Sequence, residues 1–541
     1  MSLPKPKMQR SFFDTGFVVE GLFDDPGDPY RLFREKVLPA LRRMRSVLAG
    51  MYCEGNGRPA IEPVVMAGVL LLQFMEKVPD RKAAEHVRVH LGWKYALDLE
   101  IDDRGFEATS LVVFRRRLVD GGLERVIFDA VLETLRSEGL VGRRSKVRVD
   151  STHVVAVVAK MGRLEAVRET MRLALEAVER QGLSGVLEGW DVLIERYRDS
   201  SVEWRRQTKE QLRARFAQAG TDALRLIAWA RGQALGRAAS DPMLTLERVF
   251  LEQYELGANG PEPRKKEGAG TVKNPHEPEA QWSTKSTTKD KSWTGYKTQI
   301  EETVAEDGKP KAKGEPTEQF ITDLVTTEAV ASDIDGRHRM TAAQAARGEE
   351  RASETYVDAA YVSGATLAEA KAEGRELIGP ALPSQEHEGK FATEAFDIDI
   401  AARTATCPAG KTATRCSLIH DSHQGKAYYR FEWGAQCDAC PLCPKCTSSR
   451  SGRRTVSVGV HHDLVQRRRR EMKTEAFRTR LRQRNAIEGT ISELARAGLR
   501  HTRYRGLAKT SLANLLIAAG CNVRRWFRRL TWQTECALAA S

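Results

Sequence analysis

No apolar run in this chain is long enough to cross a bilayer. The longest, VVMAGVLLLQFM from Val64 to Met75, covers 12 residues, and a membrane helix needs about 20. The opening stretch MSLPKPKMQRSFFDTG holds no apolar segment of the kind that directs export, so a cytoplasmic location is expected. Cysteine is scarce outside one cluster: of nine, only Cys53, Cys521 and Cys536 lie beyond residues 407–446. That distribution excludes a disulfide scaffold and suits a metal site. Acid is in deficit too, with Asp+Glu 73 against Lys+Arg 86, a net charge of +13 and a pI near 9.3. A polyanionic partner is therefore expected. With 41% apolar and 29% charged residues the chain is neither disordered nor membrane-embedded.

Hydrophobic spacing divides the 541 residues into an arm (1–28), a helical domain (29–140) and a first strand region (141–160). An all-helical insertion (161–256) and a polar, exposed linker (257–292) follow, then a core of alternating strands and helices (293–385). A cysteine-rich insertion (386–453) and a basic helical region (454–541) close the chain. The class is mixed α and α/β. In the helical domain, Arg81–Leu91 reads as a helix, WKYALDLEIDDRGFEAT as irregular, and Ser110 as the cap of a second helix. That helix buries Leu111, Phe114 and Leu118 and carries Arg115, Arg116 and Arg117 beside them, which suits either a helix-turn-helix DNA reader or a plain bundle with a basic face.

Acidic residues end strand-like runs at two places. KVRVD, Lys146–Asp150, and ETYVD, Glu354–Asp358, both finish on Asp, and in open α/β sheets that edge faces the ligand crevice. Further strands are read at Tyr296–Val304 and Phe320–Thr326, and helices at Asp335–Ala346 and Ala365–Ala372. A third acid, Glu488, lies at the margin of a stripe made by Ile487, Ile491 and Leu494, with Arg484 one turn earlier to orient it or a phosphate. Phosphodiester cleavage needs an activated oxygen and a stabilised leaving oxygen, which paired Mg²⁺ ions on carboxylates supply. Asp150 would bridge both ions, with Asp358 and Glu488 taking one each.

Cys437, Cys440, Cys443 and Cys446 recur every third residue, with Cys407 and Cys416 upstream. Four thiolates make a closed, structural zinc site, and six cysteines leave the set of four open. Between Gln466 and Arg505 stand 13 Lys+Arg against 4 Glu, a run suited to phosphate contact without sequence preference.

These segments resemble the DDE transposases of bacterial insertion sequences, in their longer, cysteine-containing branch. GRPAIEPVVMAGVLLLQ, DRKAAEHVRVHLGWKYALDLEI and GFEATSLVVFRRRL are similar to that family's N-terminal helical domain. NPHEPEAQWSTK and WTGYKTQI are similar to its entry into the second strand, YVDAAYVSG and RNAIEGTISELARAGLRHTRYRGLAK to its second-Asp and Glu segments, and CPAGK and CDACPLCPKCT to its cysteine insertion. The resemblance implies a ribonuclease-H-like catalytic domain, interrupted by the helical and the zinc insertions. It implies Asp150, Asp358 and Glu488 as ligands of catalytic Mg²⁺ or Mn²⁺, and Cys407, Cys437, Cys440 and Cys446 as ligands of structural Zn²⁺. Arg115, Arg116, Arg117, Arg484 and Arg496 are then DNA contacts. The family's signature places Tyr three positions before the Arg and Lys seven after the Glu; here those positions hold Leu481 and Ala495, with Arg496 adjoining. The implied activity is hydrolysis at element ends followed by attack of the 3′-OH on target DNA, by a homodimer assembled on double-stranded DNA of the bacterial nucleoid. Rival readings are a nuclease without strand transfer, a zinc-containing DNA-binding regulator, and an inactive relic.

Overall fold

The computed structural model describes residues 2–3, 12–53, 57, 59–143, 146–184, 186–199, 207–285, 292–305, 314–316, 319–384, 389–422 and 425–540. Its N-terminal part is helical. The principal helices are α1 (Pro63–Glu76), α2 (Asp80–Val89), α3 (Thr109–Asp120) and α4 (Val126–Ser137). Pro63 opens α1, where a missing N–H costs nothing, and Lys77 ends it in the left-handed region at φ 58°. Two expectations need correcting here. The span expected as a loose arm is packed from Asp14: Asp14 caps Thr15–Val18 and pairs with Arg34, and Phe23 stacks on Tyr95 at 4.2 Å. The stretch expected as irregular holds a helix, Leu91–Ala96, because His90 Nδ1 accepts from the Trp93 N–H and caps it. Ser110 sits inside the first turn of α3, one residue past its start.

The central sheet is built from β1 (Val147–Ala156), β2 (Ser292–Thr303), β3 (Ile321–Glu328), β4 (Glu354–Tyr356) and β5 (Glu376–Ile378). Its order is β3-β2-β1-β4-β5. β2 is antiparallel to both neighbours, while β1, β4 and β5 run parallel. β1 does not end at Asp150 as the alternation suggested. It continues through STHVVA, because β2 pairs with it as far as Val155↔Gly295 and His501–Thr502 flanks its end. Gly295 is required there: its φ is 151°, and a Cβ would collide with the Val154 carbonyl.

Between β1 and β2 the chain forms the helical insertion, with α5 (Arg163–Glu179), α6 (Lys209–Arg231) and α7 (Arg237–Gln253) around a core of their own that includes Met171, Leu226 and Leu246. The linker expected after it is mostly packed. Val272 and Glu277 are buried, Glu252 accepts from the Val272 N–H, and Glu279 accepts from the Leu507 N–H. Its Gly, Pro and Lys residues mark turns held by such carboxylates; residues 286–291 fall outside the described residues.

One face of the sheet carries α8 (Asp333–Ala346). The other carries α9 (Ile487–Arg496) and α10 (Leu507–Ala540). A single hydrophobic core joins α1, α3 and α4 to Ile300 and Leu324 of the sheet and to Ile487, Leu494 and Trp526 of α9 and α10. Buried Asp323 clamps the same boundary by pairing with Arg125 at 2.7 Å and Arg347 at 2.8 Å. The cysteine-rich insertion is separate. It is a three-stranded antiparallel sheet (Arg415–Asp421, Lys426–Glu432, Thr455–Gly459) on a small core of Phe396, Phe431, Trp433 and Val456. No helix among the described residues is long and apolar enough to cross a membrane.

Candidate active site

The parallel ladder between β1 and β4 ends at Arg148↔Tyr356. Asp150 and Asp358 each lie two residues beyond that pair, so matched positions on neighbouring strands bring the two acids to one crevice where the ladder stops. β4 ends there because Asp358 Oδ1 accepts from the Ala360 N–H at 2.8 Å and starts the turn Ala359–Tyr361. Asp150 is therefore a mid-strand residue, corrected from the strand-end position expected, yet it faces the same opening. Burial pushes its carboxyl above the usual carboxylate range. The Ser151 N–H and Arg484 oppose that rise, while Asp358 and Asp333 add to it.

Arg484 lies in the short turn Gln483–Ala486 that leads into α9. Its Nη2 donates to Asp150 Oδ2 at 3.0 Å, so it serves the first acid and not Glu488. Its Nε is buried and has no hydrogen-bond partner among the described residues. Glu488 is in the first turn of α9 and solvent-exposed, while Ile487, Ile491 and Leu494 are buried as the stripe required. Arg496 is exposed in the last turn, and its carbonyl accepts from Lys77 Nζ at 2.7 Å.

Two groups here were missed. Ser151, on the opposite face of β1 from Asp150, donates to Asp333 Oδ1 at 2.7 Å, and Lys297 and Gln299 reach the same oxygen. Tyr361 donates to Gln299 and stands among Asp333, Asp150 and Asp358; burial first, then these charges, holds its phenol protonated. The helix expected from Asp335 leaves Asp333 outside it; in the structure Asp333 is a first-turn acid after the Ser332 cap.

Hard carboxylate oxygens around one crevice suit Mg²⁺ or Mn²⁺. Among the described residues, no three His, Cys, Asp or Glu side chains stand within reach of one ion. The described pairing gives the Asp150 charge to Arg484 instead.

The arginines of α3 divide. Arg115 is buried, donates to both oxygens of Asp80 and lies over the Tyr504 ring at 5.5 Å, which commits it inside the protein. Arg117 covers the Tyr52 ring at 4.6 Å, and Arg116 is exposed.

In the insertion, Cys407, Cys437, Cys440, Cys443 and Cys446 line one small cavity with Trp433 and Arg454. Burial pushes the Cys446 thiol up, Arg454 opposes it, and Cys437, Cys407 and Cys440 add to the rise. Those four neighbours are the set favoured by resemblance, and thiolates in this number are the donors zinc takes. Cys443 donates its S–H to the Gly452 carbonyl at 3.4 Å, and Cys416 stands on the strand Arg415–Asp421 outside the cavity lining.

A family described as "Transposase DDE domain" matches residues 406–527, and one described as "Transposase domain (DUF772)" matches residues 17–117. The first span holds the cysteine cavity, Arg484, Glu488 and Arg496; the second holds α1, α2 and the arginines of α3. Asp150 and Asp358 lie outside both. No curated protein and no solved structure matches the chain.

Proposed function

We propose, from the premise that this chain belongs to the DDE-type insertion-sequence transposases, that it hydrolyses DNA at its element's ends and transfers the resulting 3′-OH to target DNA in a Mg²⁺-dependent reaction. The observation that carries the proposal is the matched register of Asp150 and Asp358, with Arg484 on the turn before the Glu488 helix reaching Asp150. The strand order β3-β2-β1-β4-β5 with β2 reversed supports a ribonuclease-H-like catalytic domain that runs from 141–160 into 293–385 and is completed within 454–541.

Asp150, Asp358 and Glu488 would hold the divalent ions, which supply Lewis-acid activation and charge neutralisation at the scissile phosphate. The chain's own part is positional. β1 and β4 present two carboxylates side by side, and α9 offers the third from a helix seated on the same sheet. Arg484 neutralises Asp150 in the free protein, and its guanidinium would turn to a phosphate oxygen when DNA and cations enter. Arg116 and Arg496, both exposed, supply further phosphate contacts. The thiol cavity would hold a structural Zn²⁺ on Cys407, Cys437, Cys440 and Cys446, four donors leaving no open position for water. Cutting two ends and joining them in one complex calls for a homodimer on DNA, working in the bacterial cytoplasm at the nucleoid.

The test incubates the protein with end-bearing duplex, a target plasmid and Mg²⁺. Joined products lost in Asp150→Ala support the reading. Nicks without joining favour a simple nuclease, and DNA binding with no cleavage at all favours a regulator.

A further inference from the structure

Beneath the candidate site lies a cluster of buried charge that the chemistry described so far does not use. Glu302 on β2 is fully buried and receives three side chains. Arg148 Nε donates to Glu302 Oε1, Thr490 Oγ1 donates to Oε2, and Arg525 Nη1 reaches Oε2 at 3.3 Å. Arg525 extends the cluster to Glu493 at 2.8 Å, so two guanidinium groups face two carboxylates. Two of the arms, Arg148 and Thr490, belong to segments of the site, and Arg525 comes from α10. Arg148 precedes Asp150 by two residues on the same face of β1, and its Nη1 also donates to the carbonyl of Gln483, next to Arg484, at 2.7 Å. Thr490 follows Glu488 by two residues on α9.

Charges this deep cost desolvation, and an apolar filling would stabilise the fold at least as well. What directional, charge-assisted bonds add is a fixed relation between segments distant in sequence. We infer that Glu302 is a positioning residue that sets α9 and the Arg484 turn against β1, so that the crevice of Asp150 and Asp358 is held in the form that takes a divalent ion. The inference rests on the transposase reading above. Glu302 touches neither DNA nor metal; it acts through Arg148, Thr490 and Arg525.

The test is Mn²⁺ binding by the full chain, followed at 10 °C by loss of the free-ion paramagnetic signal, with thermal unfolding run in parallel. The wild type should bind Mn²⁺, and Asp150→Ala should abolish binding. If either fails, the transposase reading fails, whatever Glu302 does. Given both, Glu302→Gln should raise the Mn²⁺ dissociation constant about tenfold at 10 °C, where the variant is folded. A merely structural Glu302 would lower the unfolding temperature and leave the Mn²⁺ constant unchanged, which would overturn the inference. Should Glu302→Gln not fold, Thr490→Val decides, since it removes one hydroxyl arm and keeps the shape: about a threefold rise supports the role, and an unchanged constant overturns it.

Discussion

Arg484 reaches across 334 positions of sequence to set its Nη2 3.0 Å from Oδ2 of Asp150. One side chain thus joins the central strand to the turn that launches the Glu488 helix. Replacing it with Gln keeps a donor and removes the charge. DNA-end cleavage by Arg484→Gln should slow by roughly 10- to 100-fold. The slope of log affinity against log salt should fall by about 1, read by fluorescence anisotropy over a salt series.

Asp150→Asn, Asp358→Asn and Glu488→Gln each remove one charge of the proposed ion-binding set without changing shape. Each should lower cleavage by roughly a thousandfold or more while duplex affinity changes by less than about threefold. A gel assay of nicked and joined products beside a binding titration checks the split; full activity in any one variant removes that acid from the site.

Glu301 is buried against Asp323, Thr322 and Gln344, and burial first, then the Asp323 charge, pushes its carboxyl up to about 7. A raised acid keeps its proton in the folded chain, so stability falls as pH rises from the ordinary 4.5 towards 7 and is flat above. Glu301→Gln should remove this loss, stabilising the protein by about 3 kcal/mol at pH 8 and hardly at all at pH 4. Thermal unfolding of both proteins across that range measures it.

Within α3, neighbouring arginines should behave oppositely. Arg115→Ala breaks the pair with Asp80 and should destabilise by about 3 kcal/mol. Arg116→Ala should leave stability within about 0.5 kcal/mol and weaken duplex binding in a salt-dependent way. Unfolding curves and anisotropy on the two variants make the comparison.

The thiol cavity predicts which cysteines matter. Purified protein should carry one zinc per chain; Cys437→Ser and Cys446→Ser should lose it, and Cys416→Ser should retain it. Elemental analysis of each variant gives the answer directly.

Alternation made β2, β3 and β4 readable, and a strand followed by Asp made Asp358 readable, because period-two burial and strand-end acids leave marks in the sequence. The second half of β1 left none: Ser151, Thr152 and His153 are polar, and they are strand only because β2 pairs with them. Asp333 lies just before the helix expected from Asp335 and is unmarked in the sequence, since its link to Ser151 spans 182 positions. The sequence sets Arg115 among three DNA-contacting arginines, because the run hides which one turns inward to Asp80. Composition alone makes residues 257–292 a linker, because it registers turns but not the carboxylates that fasten them.

The shared core between the N-terminal helices and α10 has a consequence for how such elements diversify. A DNA-reading module with its own interior can be exchanged between proteins like a cassette. Here, excising the N-terminal helices would strip the greasy side of Leu516 and Trp526 bare and leave Asp323 without Arg125. On the proposed function, new end preferences would therefore arise by substitutions on the outward side of a scaffold that stays whole, and cleavage and recognition would be inherited together.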